Sequence, residues 1–163
     1  MQGLPQYIQF TAALVTLILA SIWDIRTHRI PNAVTIPAIL IGLVLTAIFR
    51  LDTMPLTVIA LVLLFFFGAL NLMGQGDIKL IMAITAICGL TAALISTGIA
   101  AILIVGIQIL LYPNETASEA KNVLSALFSM KLKKIDKDGR SVPFAPYILA
   151  GFIYLFVYRL LLQ

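Results

Sequence analysis

Two of the seven acidic residues in this chain stand where acids are rare. Asp24 closes an apolar run that begins near Pro5. Asp77 stands just after the apolar run Met54–Met73 and just before the one that resumes at Ile78. The other acids lie in polar surroundings: Asp52 beside Arg50, and Glu115, Glu119, Asp136 and Asp138 in one hydrophilic stretch. Two carboxylates within a few ångströms of each other cannot both ionise easily, so they share a proton. One can then draw a proton from water while the other, protonated, polarises a carbonyl. A pair of this kind titrates as a unit, and the sequence does not divide the roles between its members. The chemistry needs neither a metal nor a nucleophilic side chain. One histidine, His28, and one cysteine, Cys88, provide no soft ligand set and no disulfide within the chain. Cys88 reads as a packing residue.

Glycines flank the second acid, in Gly74-Gln75-Gly76-Asp77. Without a Cβ the backbone at 74 and 76 can take unusual torsions, and another chain can come close. Each acid by itself has a plainer reading, as a side chain reaching from a helix end to the membrane surface. What separates the readings is whether the chain brings the two acids together.

The elements that must do so are membrane helices. The chain has 163 residues, of which 61% are hydrophobic and only 11% charged, with a mean hydropathy of +1.08. A soluble domain of this size has nearer half its residues apolar and about a quarter charged. A helix needs roughly 20 apolar residues to cross a bilayer. The runs predict six helices: 5–23, 33–49, 54–73, a short one from 78, one over 92–112, and one over 143–162. The fourth and fifth are separated at Gly89-Leu90-Thr91, a poor turn signal that charge supports. With six spans, Arg26, Arg29, Lys79, Lys121, Lys131, Lys133, Lys134, Lys137 and Arg140 share one side, and only Arg50 and Arg159 the other. That bias puts the basic loops in the cytoplasm and both termini outside. Two spans lie between Asp24 and Asp77, so both acids face the same side. Topology and anionic lipid account for the net charge of +4 without a nucleic-acid partner. The first helix has no Lys or Arg before it and no small-residue cleavage site after it, and reads as a retained span. The expected fold is a single all-α, six-span membrane domain over 1–163.

Three stretches carry a family resemblance. "GQGDIKL", residues 74–80, resembles the Gly-x-Gly-Asp signature of the type IV prepilin peptidases, a family of membrane aspartic proteases. "DIRTHRIPN", residues 24–32, is similar to that family's first motif, and "VPFAPYILAG", residues 142–151, to the opening of its last helix. Presenilin-type proteases share Gly-x-Gly-Asp, but the Ile-Pro-Asn element points away from them. The resemblance implies that Asp24 and Asp77 are the catalytic pair. It implies cleavage of a short basic leader from prepilin-like precursors at the cytoplasmic face of the bacterial inner membrane. Pilus assembly machinery is a further implied partner, and no cofactor is implied. Larger members carry an amino-terminal insertion with paired cysteines, and many also methylate the new amino terminus. This chain is similar to the short form that accompanies Flp or tight-adherence pili, and methyl transfer is not expected of it.

Around the acids, Gly74, Gly76, Lys79, Pro31, Asn32, Pro143 and Pro146 are candidates for shaping the site or holding substrate. Lys79 either tunes the charge of Asp77 or anchors the helix end. Pro31-Asn32 starts the second helix, and the resemblance implies that this turn aims Asp24. Within 113–142, Thr116-Ala117-Ser118-Glu119 reads as a capping box, followed by apolar residues at helical spacing and Lys131, Lys133 and Lys134. The expectation is an amphipathic helix on the inner membrane surface; a flap or a docking site are its alternatives. Asp136-Lys137-Asp138-Gly139 reads as a turn rather than a calcium loop. Two other functions remain open on these residues. A proton- or cation-coupled transporter would use Asp24 and Asp77 as ion-binding acids. A non-catalytic assembly subunit would need neither acid.

Overall fold

Helix boundaries in this protein fall where the backbone requires them. The computed structural model describes residues 3–70, 74–111 and 143–161. Its elements are α1 (Gly3–Thr27), α2 (Asn32–Phe49), a 3-10 turn (Leu51–Thr53), α3 (Met54–Ala69), α4 (Gln75–Cys88), α5 (Leu90–Leu111) and α6 (Ala145–Leu161). The described residues contain no strand, and the fold is all-α. The expected surface helix and the Asp136–Gly139 turn lie outside the described residues.

The weakest sequence break is a sharp one. Gly89 alone separates α4 from α5, at φ 93° and ψ 163°. An L side chain rarely adopts that conformation. A Cβ there would also lie 2.9 Å from Nη1 of Arg50.

Four helical segments are long and apolar enough to cross a membrane: Pro5–Thr27, Asn32–Phe49, Leu51–Ala69 and Leu90–Leu111. The outer faces carry large apolar side chains, among them Leu40, Val44, Ile48, Phe65, Phe66, Ile102 and Leu110. Polar side chains turn inward instead: Gln9, Ser21, Asp24, Thr35, Thr46, Thr85 and Ser96 are buried. Greasy outside and partly polar inside is the pattern of a membrane protein.

α4 is different. Its 14 residues make a helix of about 21 Å, short of a bilayer core of roughly 30 Å. It is also the most enclosed element. Ile78, Leu80, Ile81, Ala83, Ile84, Thr85, Ala86 and Ile87 are all buried, and α1, α2, α3 and α5 pack around it. A helix wrapped by its neighbours does not have to match the lipid.

Side-chain contacts fix the directions. Asn32 meets Lys79, while Thr46 donates to the Ala86 carbonyl at 2.8 Å, so α2 and α4 run parallel. At Gly42 the two backbones touch, because a Cβ there would lie 2.7 Å from Ala86. Cys88 Sγ lies 3.7 Å from the Gln9 carbonyl, so the carboxyl end of α4 meets the first half of α1. Phe10 of α1 packs on Phe152 and Phe156 of α6. The far end of α1 meets the start of α6 at Asp24 and Ala145. Consecutive helices therefore alternate up and down. One end of the bundle gathers Asp24, Ile30, Gly76, Asp77 and Ala145. The other gathers Gln9, Arg50, Cys88 and Arg159.

Candidate active site

Asp24 is reached from within a helix. The polar stretch after Trp23 does not end α1, which continues through Asp24 to Thr27. His28 then closes it, with φ 49° and its N–H donating to the Asp24 carbonyl at 2.9 Å. This is a left-handed helix cap on a residue other than glycine. Thr27 Oγ1 lies within hydrogen-bonding distance of the carbonyls of both Trp23 and Arg29, which steadies the turn. The Asp24 side chain is only 5% exposed.

The loop that follows ties α1 to α4. Ile30 is buried, and Pro31 is the extended residue that precedes α2. The Pro31 carbonyl accepts the N–H groups of Val34 and Thr35. Asn32 opens α2, and its Oδ1 accepts a hydrogen bond from Lys79 Nζ at 2.8 Å. Lys79 therefore has a specific partner, which neither reading of its sequence context supplied. Gly76 lies against Ile30: a Cβ on it would be 3.5 Å from the Ile30 backbone nitrogen, at ordinary contact distance.

Asp77 is half-buried in the first turn of α4. Negative charge suits the amino end of a helix. Gly74 is the N-cap residue, and a Cβ at that position would stand 2.6 Å from Oδ2 of Asp77. The space beside Gly74 is thus taken by the aspartate's own carboxylate, folded back over the helix start. The bare backbone at 74 has a reason inside the protein.

The start of α6 completes the group. Pro143 and Phe144 precede the helix, and Pro146 is its second residue. Between them the N–H of buried Ala145 donates to Oδ2 of Asp24 at 2.9 Å. Sequence reasoning selected the two prolines and missed the donor they flank. The signal was present, since prolines at 143 and 146 leave few N–H groups at that helix start. Asp24 and Asp77 are close enough that the charge of one acts on the other. Among the described residues, no group of three or more His, Cys, Asp or Glu side chains could hold a metal ion.

All nine sequence-selected positions thus lie at one end of the bundle. Asp24, Asp77 and the Ala145 N–H form its centre, Gly74 and Gly76 sit under it, and the Lys79–Asn32 pair flanks it. Two carboxylates at one bundle end, one buried and one half-buried, are groups of the kind that can activate water against a carbonyl. No curated protein and no solved structure matches the chain. The sequence profile of the type IV leader peptidase family matches residues 11–110, more than half of the chain and the part that contains both aspartates. This protein therefore belongs to the type IV leader peptidase family.

Proposed function

We propose that the protein is an aspartic endopeptidase that removes the leader from type IV prepilin-like precursors at the cytoplasmic membrane face, with Asp24 and Asp77 as its catalytic pair. The observation that carries this reading is the convergence of two acid-bearing segments at one end of a membrane bundle, tied together by Lys79 on Asn32 and Gly76 against Ile30. The family membership favours it over ion transport. Among the described residues the acids are Asp24, Asp52 and Asp77, so no second layer of carboxylates continues a path from the pair.

In the proposed reaction the pair holds one proton between its members. The ionised carboxylate takes a proton from water as the water oxygen bonds to the scissile carbonyl carbon. The protonated carboxyl donates to the carbonyl oxygen, giving a neutral tetrahedral diol. The carbon–nitrogen bond then breaks. The nitrogen receives the proton that water gave up, and a diol hydroxyl returns a proton to the other carboxylate. The products are the leader's carboxyl group and a new amino terminus, and the pair regains its single proton.

The orientation belongs to the same proposal. Arg26, Arg29 and Lys79 share the aspartate end, while Arg50 and Arg159 occupy the other. Under the positive-inside rule the aspartate end is cytoplasmic, with six spans and both termini outside. A basic leader would meet an acidic site there, with the apolar helix that follows it lying in the bilayer. Similarity to the short form points to Flp-type prepilins as substrates. Methyl transfer is left out of the proposal, since the sequence offers no glycine-rich cofactor loop.

The test is co-expression with a pilin precursor encoded beside this protein's gene. Leader removal is read by gel shift and mass spectrometry for wild type, Asp24→Asn and Asp77→Asn at equal membrane levels. Cleavage at the leader–helix junction by wild type alone is the expected result. Cleavage that survives in both variants would refute the aspartic pair.

A further inference from the structure

The last helix opens on Pro143-Phe144-Ala145-Pro146. The start of any helix leaves N–H donors without partners inside it. Here the first turn has few. Pro146 has no N–H. The N–H of Tyr147 turns back to the Phe144 carbonyl at 3.1 Å, and that of Ile148 reaches the same carbonyl at 3.3 Å. The remaining donor is the N–H of Ala145. It crosses to another helix and meets Oδ2 of Asp24 at 2.9 Å. Ala145 has no exposed surface and Asp24 almost none, so water does not compete for this bond. Among the described residues, the hydroxyl of Ser21, one turn before Asp24 on α1, finds no hydrogen-bond partner. The carboxylate is held from α6, not by that neighbour on its own helix.

We propose that the backbone N–H of Ala145 is a positioning group of the peptidase centre: it fixes one oxygen of Asp24 on the amino end of α6, so that the other is presented to the reaction. The inference rests on the aspartic-pair reading. An aspartate side chain has two rotatable bonds and several staggered orientations open to it. A carboxylate that must take a proton from one particular water needs a single one of them. Displacement of a reacting group by about 1 Å costs on the order of 100-fold in rate. The prolines contribute by subtraction: neither Pro143 nor Pro146 has an N–H, and the donor of Ala145 between them meets Asp24.

The experiment removes that hydrogen in two ways and keeps it in a third variant. Ala145→Pro deletes the N–H at the first helical position, and its ring Cδ, in the place of that hydrogen, also displaces Oδ2 of Asp24. Ala145→lactic acid, introduced by nonsense suppression, exchanges the N–H for an ester oxygen and keeps the methyl group. Ala145→Gly keeps the N–H and loses the methyl. Steady-state cleavage of a pilin precursor is measured on the full chain in detergent, beside wild type and Asp24→Asn. Both N–H-deleting variants are expected to lose about 100-fold in kcat, with KM nearly unchanged because substrate contacts remain. Ala145→Gly is expected to stay near wild type. Wild-type kcat in the lactic acid variant would overturn the inference even if the proline variant failed to fold. So would a loss confined to KM, or an equal loss in Ala145→Gly. Loss in Asp24→Asn with full rates in the N–H-deleting variants removes this inference alone, whereas cleavage by Asp24→Asn removes the pair itself.

Discussion

The short helix α4 meets charge at both ends, and the two ends treat it in opposite ways. At its carboxyl end stands Arg50, which follows the last residue of α2. Nη1 donates to the Cys88 carbonyl at 2.9 Å, and Nη2 lies 3.4 Å from the Ile87 carbonyl and 3.2 Å from Thr46 Oγ1. A cation there opposes the negative end of the helix dipole and satisfies carbonyls that have no partner within the helix. At the amino end Asp77 also has the sign that the dipole favours. There, however, the field of a second acid, Asp24, acts on it. Lys79, two residues further on, gives a hydrogen bond to Asn32. One end matches charge to its surroundings. The other sets like charges together, at a cost in stability that a purely structural site would avoid. The proposed peptidase centre is at the end where the electrostatics are not relaxed.

The sharpest way to break this contrast is to exchange the consequences of the two ends. Asp24→Asn and Asp77→Asn should each lower cleavage by on the order of 10⁴-fold. Melting in detergent should hold or rise, since an asparagine at 24 still accepts from Ala145 and either change removes one of the two like charges. Arg50→Met should do the reverse. It leaves the Ile87 and Cys88 carbonyls without their partner, a loss of about 2 kcal/mol in stability. The folded fraction should cleave within a few-fold of wild type. A variant of Arg50 that stays fully folded yet no longer cleaves would show that the Arg50 end takes part in catalysis, and the contrast would fail.

Gly74→Ala is a smaller perturbation at the working end. The added methyl would start 2.6 Å from Oδ2 of Asp77, so the carboxylate must move. Gly74 is exposed and its φ is −54°, so the backbone itself accepts alanine. The expected outcome is about a 10-fold fall in kcat at unchanged thermal stability. Equal activity in the alanine variant would mean that the folded-back carboxylate is not the reacting arrangement.

These effects differ in how far the sequence foretold them. The helices were legible because apolar length and breaker residues are local properties. So was the placing of Asp24 and Asp77 at one end of the bundle, which follows from the two helices between them. Gly89 looked weak as a turn because its role depends on torsion and on Arg50, a residue far away in the chain. The continuation of α1 through Asp24 was hidden by the polar residues around it. Those residues are exposed on the outward turns, while Asp24 itself points inward. Least legible was the N–H of Ala145. A backbone donor leaves no mark in side-chain chemistry, and only the prolines at 143 and 146 point to it. Gly74 was legible as a special position, but the sequence suggested room for an incoming strand. The nearest neighbour proves to be Asp77.

The smallest effect concerns Lys79, where charge and geometry make different demands. As a tie, its ammonium holds Asn32 at 2.8 Å and so fastens the first loop to α4. As a charge, it would act on Asp77 whatever its partner. A double-mutant cycle separates the two. Lys79→Met keeps most of the stem and removes the donor, and Asn32→Ala removes the acceptor. If the tie is what matters, each change should lower stability by about 0.5–1 kcal/mol, at the low end because the pair is partly exposed. The double variant should then be no worse than the worse single, with cleavage reduced to the same small extent in all three. If the charge is what matters, Asn32→Ala should cleave like wild type, while Lys79→Met and the double variant share the loss. The first pattern would extend the structural matching seen at Arg50 to the rim of the acidic end. That would confine the unrelaxed electrostatics to the two aspartates.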